Sequence, residues 1–144
     1  MERLFSGFAV RTPDAGRIYA ALTRREFYEG DLESATGDFN SVEMDKALSA
    51  PLSITRLKSR TELTFRRTSQ HIRRNRVGLR VLWFVQSGSL KIVRATGTCE
   101  IKAGQAGILD SNVPFVATLK ASHEGEHCSY QVIIPPDLFI AHLQ

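Results

Sequence analysis

Between Arg80 and Ala117 the chain reads RVLWFVQSGSLKIVRATGTCEIKAGQAGILDSNVPFVA. Apolar runs of strand length alternate there with the turn pieces QSGS, ATGT, KAGQAG and DSNVP, so the backbone reverses about every eight to ten residues. That rhythm leaves no room for long helices and belongs to an antiparallel barrel or sandwich. A chain of 144 residues forms one such domain and buries an adequate core without disulfides or a structural metal.

Side-chain alternation assigns faces. In TELTFRRT, Leu63, Phe65 and Arg67 share one face of a strand while Glu62, Thr64 and Arg66 share the other. Arg67 therefore points inward with the apolar residues, where an unpaired charge is costly. It needs a carboxylate, for which Asp110 is the candidate, or a bound anion. Both faces of VLWFVQSG are apolar, with Val81, Trp83 and Val85 on one and Leu82 and Phe84 on the other, so this strand is expected to be covered on both sides. A hairpin is expected at Ser87 and Gly88. The strands LKIVR and CEIKAGQAGIL follow, then a DSNVPF turn in which Asp110 or Asn112 bonds nearby backbone, then FVATL, a KASHEGEH loop and the strand CSYQVIIP.

Outside this region the signals are sparser. Thr12 as N-cap, Pro13 at the first helical position, Asp14 in the first turn and a stripe of Ile18, Ala21 and Leu22 predict a short amphipathic helix ending near Arg25. The stretch up to Ser53 carries turn chemistry at Glu29–Asp31 and Thr36–Asp38 and supplies one or two edge strands. HIRRNRVGLR reads as a polar loop. Pro136, Asp137 and LFIAHL start a second helix at the C-terminal end.

Charge is polarised. From Arg56 to Arg80 nine basic residues stand against one acid, Glu62, whereas from Met1 to Asp45 nine acids stand against five arginines. Clustered Arg and Lys suit phosphate binding, but these lie on strands and a loop without interleaved exposed aromatics, zinc-finger spacing or a helix-turn-helix. A solvated strand face and partners for the acidic N-terminal segment account for them more simply. The first residues lack a signal-peptide cleavage pattern, and no apolar run approaches the roughly 20 residues that cross a bilayer. The expected compartment is the cytoplasm, where Cys99 and Cys128 are free, packed thiols. Neither cysteine sits on a nucleophile elbow with a recognisable base. His123 and His127, near Glu124, Glu126 and Cys128, have no helical spacing that brings them to one face, and a solvated loop is expected there.

The runs GSLKI, TGTCEIKAGQAGILDSNVPF and VIIPPDLF, taken together over roughly Leu52 to Leu143, resemble the N-terminal sensor domain of AraC-family transcription regulators. The shared pieces are a strand pair around a Gly turn, a glycine turn at KAGQAG, an Asp-Ser-x-x-Pro-aromatic corner and an "IP" strand before a linker helix. The resemblance implies a mainly β, cupin-like jelly-roll barrel of antiparallel strands that binds a small effector and forms a homodimer. DNA would be read by helix-turn-helix motifs absent from these residues. The implied organisation is a single domain over residues 1–144: N-terminal helix and edge strands over 1–50, barrel over 51–135, start of the linker helix over 136–144. Strand parity and the resemblance together place Phe65, Trp83, Val85, Phe115 and Tyr130 around the effector, with Arg67 or His71 as polar anchor; an Arg67 anchor implies an anionic effector.

Two other classes remain open. Enzymatic cupins hold a metal through a His-x-His pair, a glutamate and a further histidine, and no histidine occurs between Arg80 and Ala117. The expectation is accordingly no enzyme, no catalytic residue, no metal and no cofactor. A protein-interaction domain without any ligand is the other class, and a tightly filled barrel favours it.

Overall fold

Of the four turn pieces, only ATGT joins two strands that pair with each other; the others carry the chain between sheets. The computed structural model describes residues 1–10, 14–49, 51–135 and 137. Among them the strands are β1 (Glu2–Ser6), β2 (Asp31–Ser34), β3 (Glu43–Ser49), β4 (Leu52–Ser59), β5 (Leu63–Arg67), β6 (Arg80–Ser87), β7 (Ser89–Arg94), β8 (Gly97–Lys102), β9 (Ala106–Asp110), β10 (Phe115–Lys120) and β11 (His127–Ile134). The helices are α1 (Gly7–Val10), α2 (Ala15–Glu26) and α3 (Ser69–Arg74). One antiparallel sheet has the order β1-β3-β4-β11-β6-β9 and the other β2-β5-β10-β7-β8. QSGS takes the chain from the first sheet to the second, KAGQAG brings it back and DSNVP returns it. The expected hairpin at Ser87 and Gly88 is thus a corner between sheets: Gly88, at φ 82°, turns the chain where β6 ends.

The two sheets face each other across a shared core. Val81, Val85 and Leu90 are fully buried, and Leu63, Leu109 and Ala117 nearly so. Each large aliphatic side chain so removed from water contributes roughly 1.5–3 kcal/mol. The DSNVP corner is held as its residue types demand. Asn112 N donates to Asp110 Oδ1 at 2.8 Å, and Leu79 N donates to Ser111 Oγ at 2.8 Å.

Several expectations need correction. The buried stripe of α2 is Ala15, Tyr19, Leu22 and Thr23, whereas Ile18 and Ala21 are exposed. Where one or two edge strands were expected, β2 is an edge but β3 lies inside its sheet, because β1 pairs outside it. The expected loop HIRRNRVGLR begins inside α3, which Thr68 caps by accepting from His71 N at 3.3 Å. The outer face of β6 is not covered: Phe84 is 40% exposed. Cys99 is exposed rather than packed, Cys128 is buried, and both are free. Thr12, Pro13 and the helix expected from residue 136 onward lie outside the described residues, Asp137 apart.

Charge polarisation is resolved by pairing. Asp45 on β3 accepts from Arg3 Nε at 2.6 Å and from Arg56 Nη2 at 3.0 Å. Burial pushes its carboxyl up, but the hydrogen bonds and charges of the two arginines outweigh burial and hold it below the usual carboxylate range. Arg74 reaches Glu29 at 2.8 Å, so part of the basic middle serves the acidic front.

Candidate functional site

Between the sheets, under α2, lies a cavity of about 40 Å³. The six-stranded sheet lines it with Met44, Leu57, Trp83 and Gln131, the other sheet with residues that include Leu63 and Phe65, and α2 with Tyr19 and Thr23. Phe27 and Tyr28, on the chain leaving α2, complete the cover. The lining is aromatic and apolar with few polar groups and no charged side chain. Burial pushes the phenols of Tyr19 and Tyr28 far above their ordinary range, so both stay neutral.

The polar floor of the cavity comes from β11 and β6. Its geometry starts at His127, which is fully buried rather than solvated. His127 Nδ1 lies 3.1 Å from the Lys120 carbonyl oxygen and Nε2 lies 2.9 Å from Ser129 Oγ. A carbonyl only accepts, so in the neutral ring Nδ1 carries the proton and Nε2 accepts from the Ser129 hydroxyl. With its one hydrogen committed, Ser129 Oγ accepts from Gln131 Nε2 at 2.8 Å. That fixes the amide orientation and leaves Gln131 Oε1 pointing away from the relay. Gln131 Oε1 and Trp83 Nε1 are both buried and have no hydrogen-bond partner among the described residues. The two residues lie directly opposite one another in the β11–β6 register.

Burial holds the His127 imidazole below its ordinary pKa of 6.5, more strongly than the Lys120 and Ser89 carbonyls raise it. Below about pH 6.5 the unfolded chain takes up a proton that the folded chain refuses, so stability falls as pH drops through that value until the folded ring itself protonates. Urea midpoints measured between about pH 7.5 and 5 should fall accordingly, and His127→Gln should flatten this part of the profile. An unchanged slope in the variant would assign the loss to another group.

The residues expected around the effector are dispersed. Phe65 and Trp83 line the cavity. Val85 is fully buried but outside the lining, and Phe115 packs behind Phe65 with ring centroids 5.9 Å apart. Tyr130 points to the outer face, because β11, which pairs with β4 without a register shift, turns His127, Ser129, Gln131 and Ile133 inward; the shift against β6 leaves its extra residue, Gln86, on β6. Arg67 is inward and 1% exposed, as parity predicts, but its partner is not Asp110, which lies 3.5 Å from Arg80. Arg67 donates to the carbonyl oxygens of Ser111 (2.7 Å), Glu29 (2.6 Å) and Asn75 (2.6 Å), and its guanidinium sits 4.9 Å from the Tyr28 ring centroid. His71 is buried at the α3 N-terminus, bonding Thr68 N at 2.9 Å and lying 3.3 Å from Asp31. Neither Arg67 nor His71 lines the cavity.

Sequence reasoning missed Gln131, the residue that most defines the cavity floor. Its signal was an inversion, polar Ser129 and Gln131 alternating with Tyr130 and Val132, which parity alone assigns to the wrong faces. Among the described residues no group of three or more His, Cys, Asp or Glu side chains is placed to hold a metal ion, and no helix is long and apolar enough to cross a membrane.

No protein-family model matches the chain, and no curated protein matches it. Solved structures do. The crystal structure of the AraC-like transcriptional activator CuxR superposes with a TM-score of 0.72 over 99% of this chain and 50% of that one, at 14% identity. The cupin_2 domain of an XRE family transcriptional regulator from Enterobacter cloacae superposes with a TM-score of 0.50 over 67% of this chain and 98% of that one, at 11% identity. The chain thus spans half the length of the AraC-like activator. At these identities the likeness establishes the fold, which is cupin-like: a mainly β jelly roll of two antiparallel sheets.

Proposed function

We propose that these residues form the effector-sensing and dimerisation domain of an AraC-type transcription regulator, a non-enzymatic cytoplasmic domain that controls a DNA-binding region outside the 144 residues. The observation that carries this reading is the superposition of nearly the whole chain on half of an AraC-like activator. The largely apolar cavity between the sheets supports it. In this organisation residues 51–135 are the barrel, 1–50 supply its cover and outer strands, and the linker starts at 136.

The cavity of about 40 Å³ has room for a few waters and is far below the roughly 300–1,000 Å³ of preformed ligand sites. Ligand entry in this reading moves α2 outward, since Tyr19 and Thr23 are its cover. Arg67 does not line this cavity and donates to backbone carbonyls, so in this reading the cavity does not call for an anionic effector. A melting-temperature screen tests the reading. A ligand-dependent rise with no stoichiometric metal and no DNA retention at moderate salt supports it, whereas a bound metal at one equivalent would favour an enzyme.

The outer face of the six-stranded sheet supports the dimerisation half of this reading, and would equally suit a domain working through protein contacts alone. Phe84 and Ile108 are 40% and 51% exposed. Leu82 lies opposite both Ile108 and Val132 in register, which makes one apolar row across β9, β6 and β11. A second copy covering this row satisfies it isologously. Sedimentation should show a dimer that Phe84→Glu weakens at least tenfold, and a monomeric parent chain at high concentration would exclude the pairing.

A further inference from the structure

We infer that the cavity takes an uncharged, largely apolar ligand carrying a hydroxyl group lodged between Gln131 Oε1 and Trp83 Nε1. The inference rests on the sensing reading above and specifies what is sensed. The relay from Lys120 through His127 and Ser129 commits one N–H of Gln131 and orients the amide so that its carbonyl oxygen, an acceptor, is the atom left without a partner. Trp83 Nε1 offers a donor and nothing else. One acceptor and one donor, on residues that face each other across adjacent strands, are the complement of a hydroxyl, which donates once and accepts once.

The rest of the lining excludes the competing chemistries. A carboxylate or ammonium group would be desolvated against Phe65, Leu57 and Met44 with no countercharge, because the four hydrogen bonds of Arg67 go to the carbonyls of Ser111, Glu29 and Asn75 and to Asn75 Oδ1. A pure hydrocarbon would fill the space and leave both polar atoms without a partner. Gln131 itself is 1% exposed, and its backbone neighbours Tyr130 and Val132 are turned outward, so an aliphatic residue at 131 would suit the core better if nothing bound there.

Three ring compounds of similar size separate the cases: p-cresol, toluene and 4-methylbenzoate. Calorimetry on the 144-residue chain should show p-cresol binding more tightly than toluene and 4-methylbenzoate not at all. Trp83→Phe and Gln131→Met should each weaken p-cresol about tenfold, the loss of one hydrogen bond, while leaving toluene unchanged or tighter. Without ligand, Gln131→Met should keep or raise the melting temperature, since it removes an unpartnered buried oxygen. Toluene binding as tightly as p-cresol, or a preference for 4-methylbenzoate, overturns the hydroxyl assignment and leaves the sensing reading standing. No binding by any probe, with Gln131→Met lowering the melting temperature by about 5 °C or more, makes Gln131 a structural residue and overturns both.

Discussion

Arg67→Ala is expected to cost about 3–5 kcal/mol of unfolding free energy, read as a fall in urea midpoint at unchanged slope. The reason lies in what the arginine leaves behind. Its guanidinium joins three chain segments that are distant in sequence: the carbonyl of Glu29 after α2, that of Asn75 at the end of α3, and that of Ser111 in the DSNVP corner. Without it, three carbonyl oxygens lose a charged donor at a side chain that is 1% exposed, and each unsatisfied buried acceptor costs about 1–3 kcal/mol. Arg67→Met separates hydrogen bonding from packing, since it keeps much of the volume and should lose nearly as much. Arg67→Lys should recover only part, because one ammonium cannot span three diverging acceptors. A loss under about 1 kcal/mol for Arg67→Met would show that the carbonyls find other partners. Any fall in ligand binding in these variants follows from the fold, as the guanidinium does not reach the cavity.

The same residue shows what sequence could and could not convey. Period-two alternation through Leu63, Phe65 and Arg67 was enough to turn Arg67 inward, because β5 is regular and pairs without a bulge. Its partners were not legible. Three of its hydrogen bonds go to backbone carbonyls, which every residue carries and no pattern marks. The nearest acid in expectation, Asp110, instead spends one oxygen on the Asn112 amide.

Turn positions in the chain from Arg80 onward were legible for a similar reason, since glycine, Pro114 and Asp110 punctuate the chain by local chemistry. Which turns join paired strands and which cross between sheets depends on tertiary packing, and only one of the four made a hairpin. Tyr130 and Gln131 went wrong together, because period-two alternation along β11 fixes which residues share a face but not which face is inward, and here the inward face is the one that carries Ser129 and Gln131. The resulting polar interior is what distinguishes the cavity from ordinary core, so the least legible part of the chain is also the most informative about a ligand.

Gly88→Ala is expected to cost about 3–5 kcal/mol, and Gly104→Ala about 1 kcal/mol, although the two glycines have nearly the same backbone. Gly88 has φ 82° and Gly104 has φ 86°, so the left-handed penalty for an L side chain is common to both. The surroundings differ. A Cβ at position 104 meets nothing within 4 Å, while at position 88 it falls well inside contact distance of the Lys120 carbonyl oxygen and 3.1 Å from His127 Nδ1. The first of these atoms is backbone at the end of β10 and cannot swing aside. The corner must open, and the bond between His127 and Lys120 that orients the relay to Gln131 opens with it. Gly88→Ala should therefore also weaken p-cresol binding at temperatures where the variant is still folded, and Gly104→Ala should not. Equal costs for the two substitutions would mean that backbone conformation alone is at stake and that the corner tolerates a methyl group.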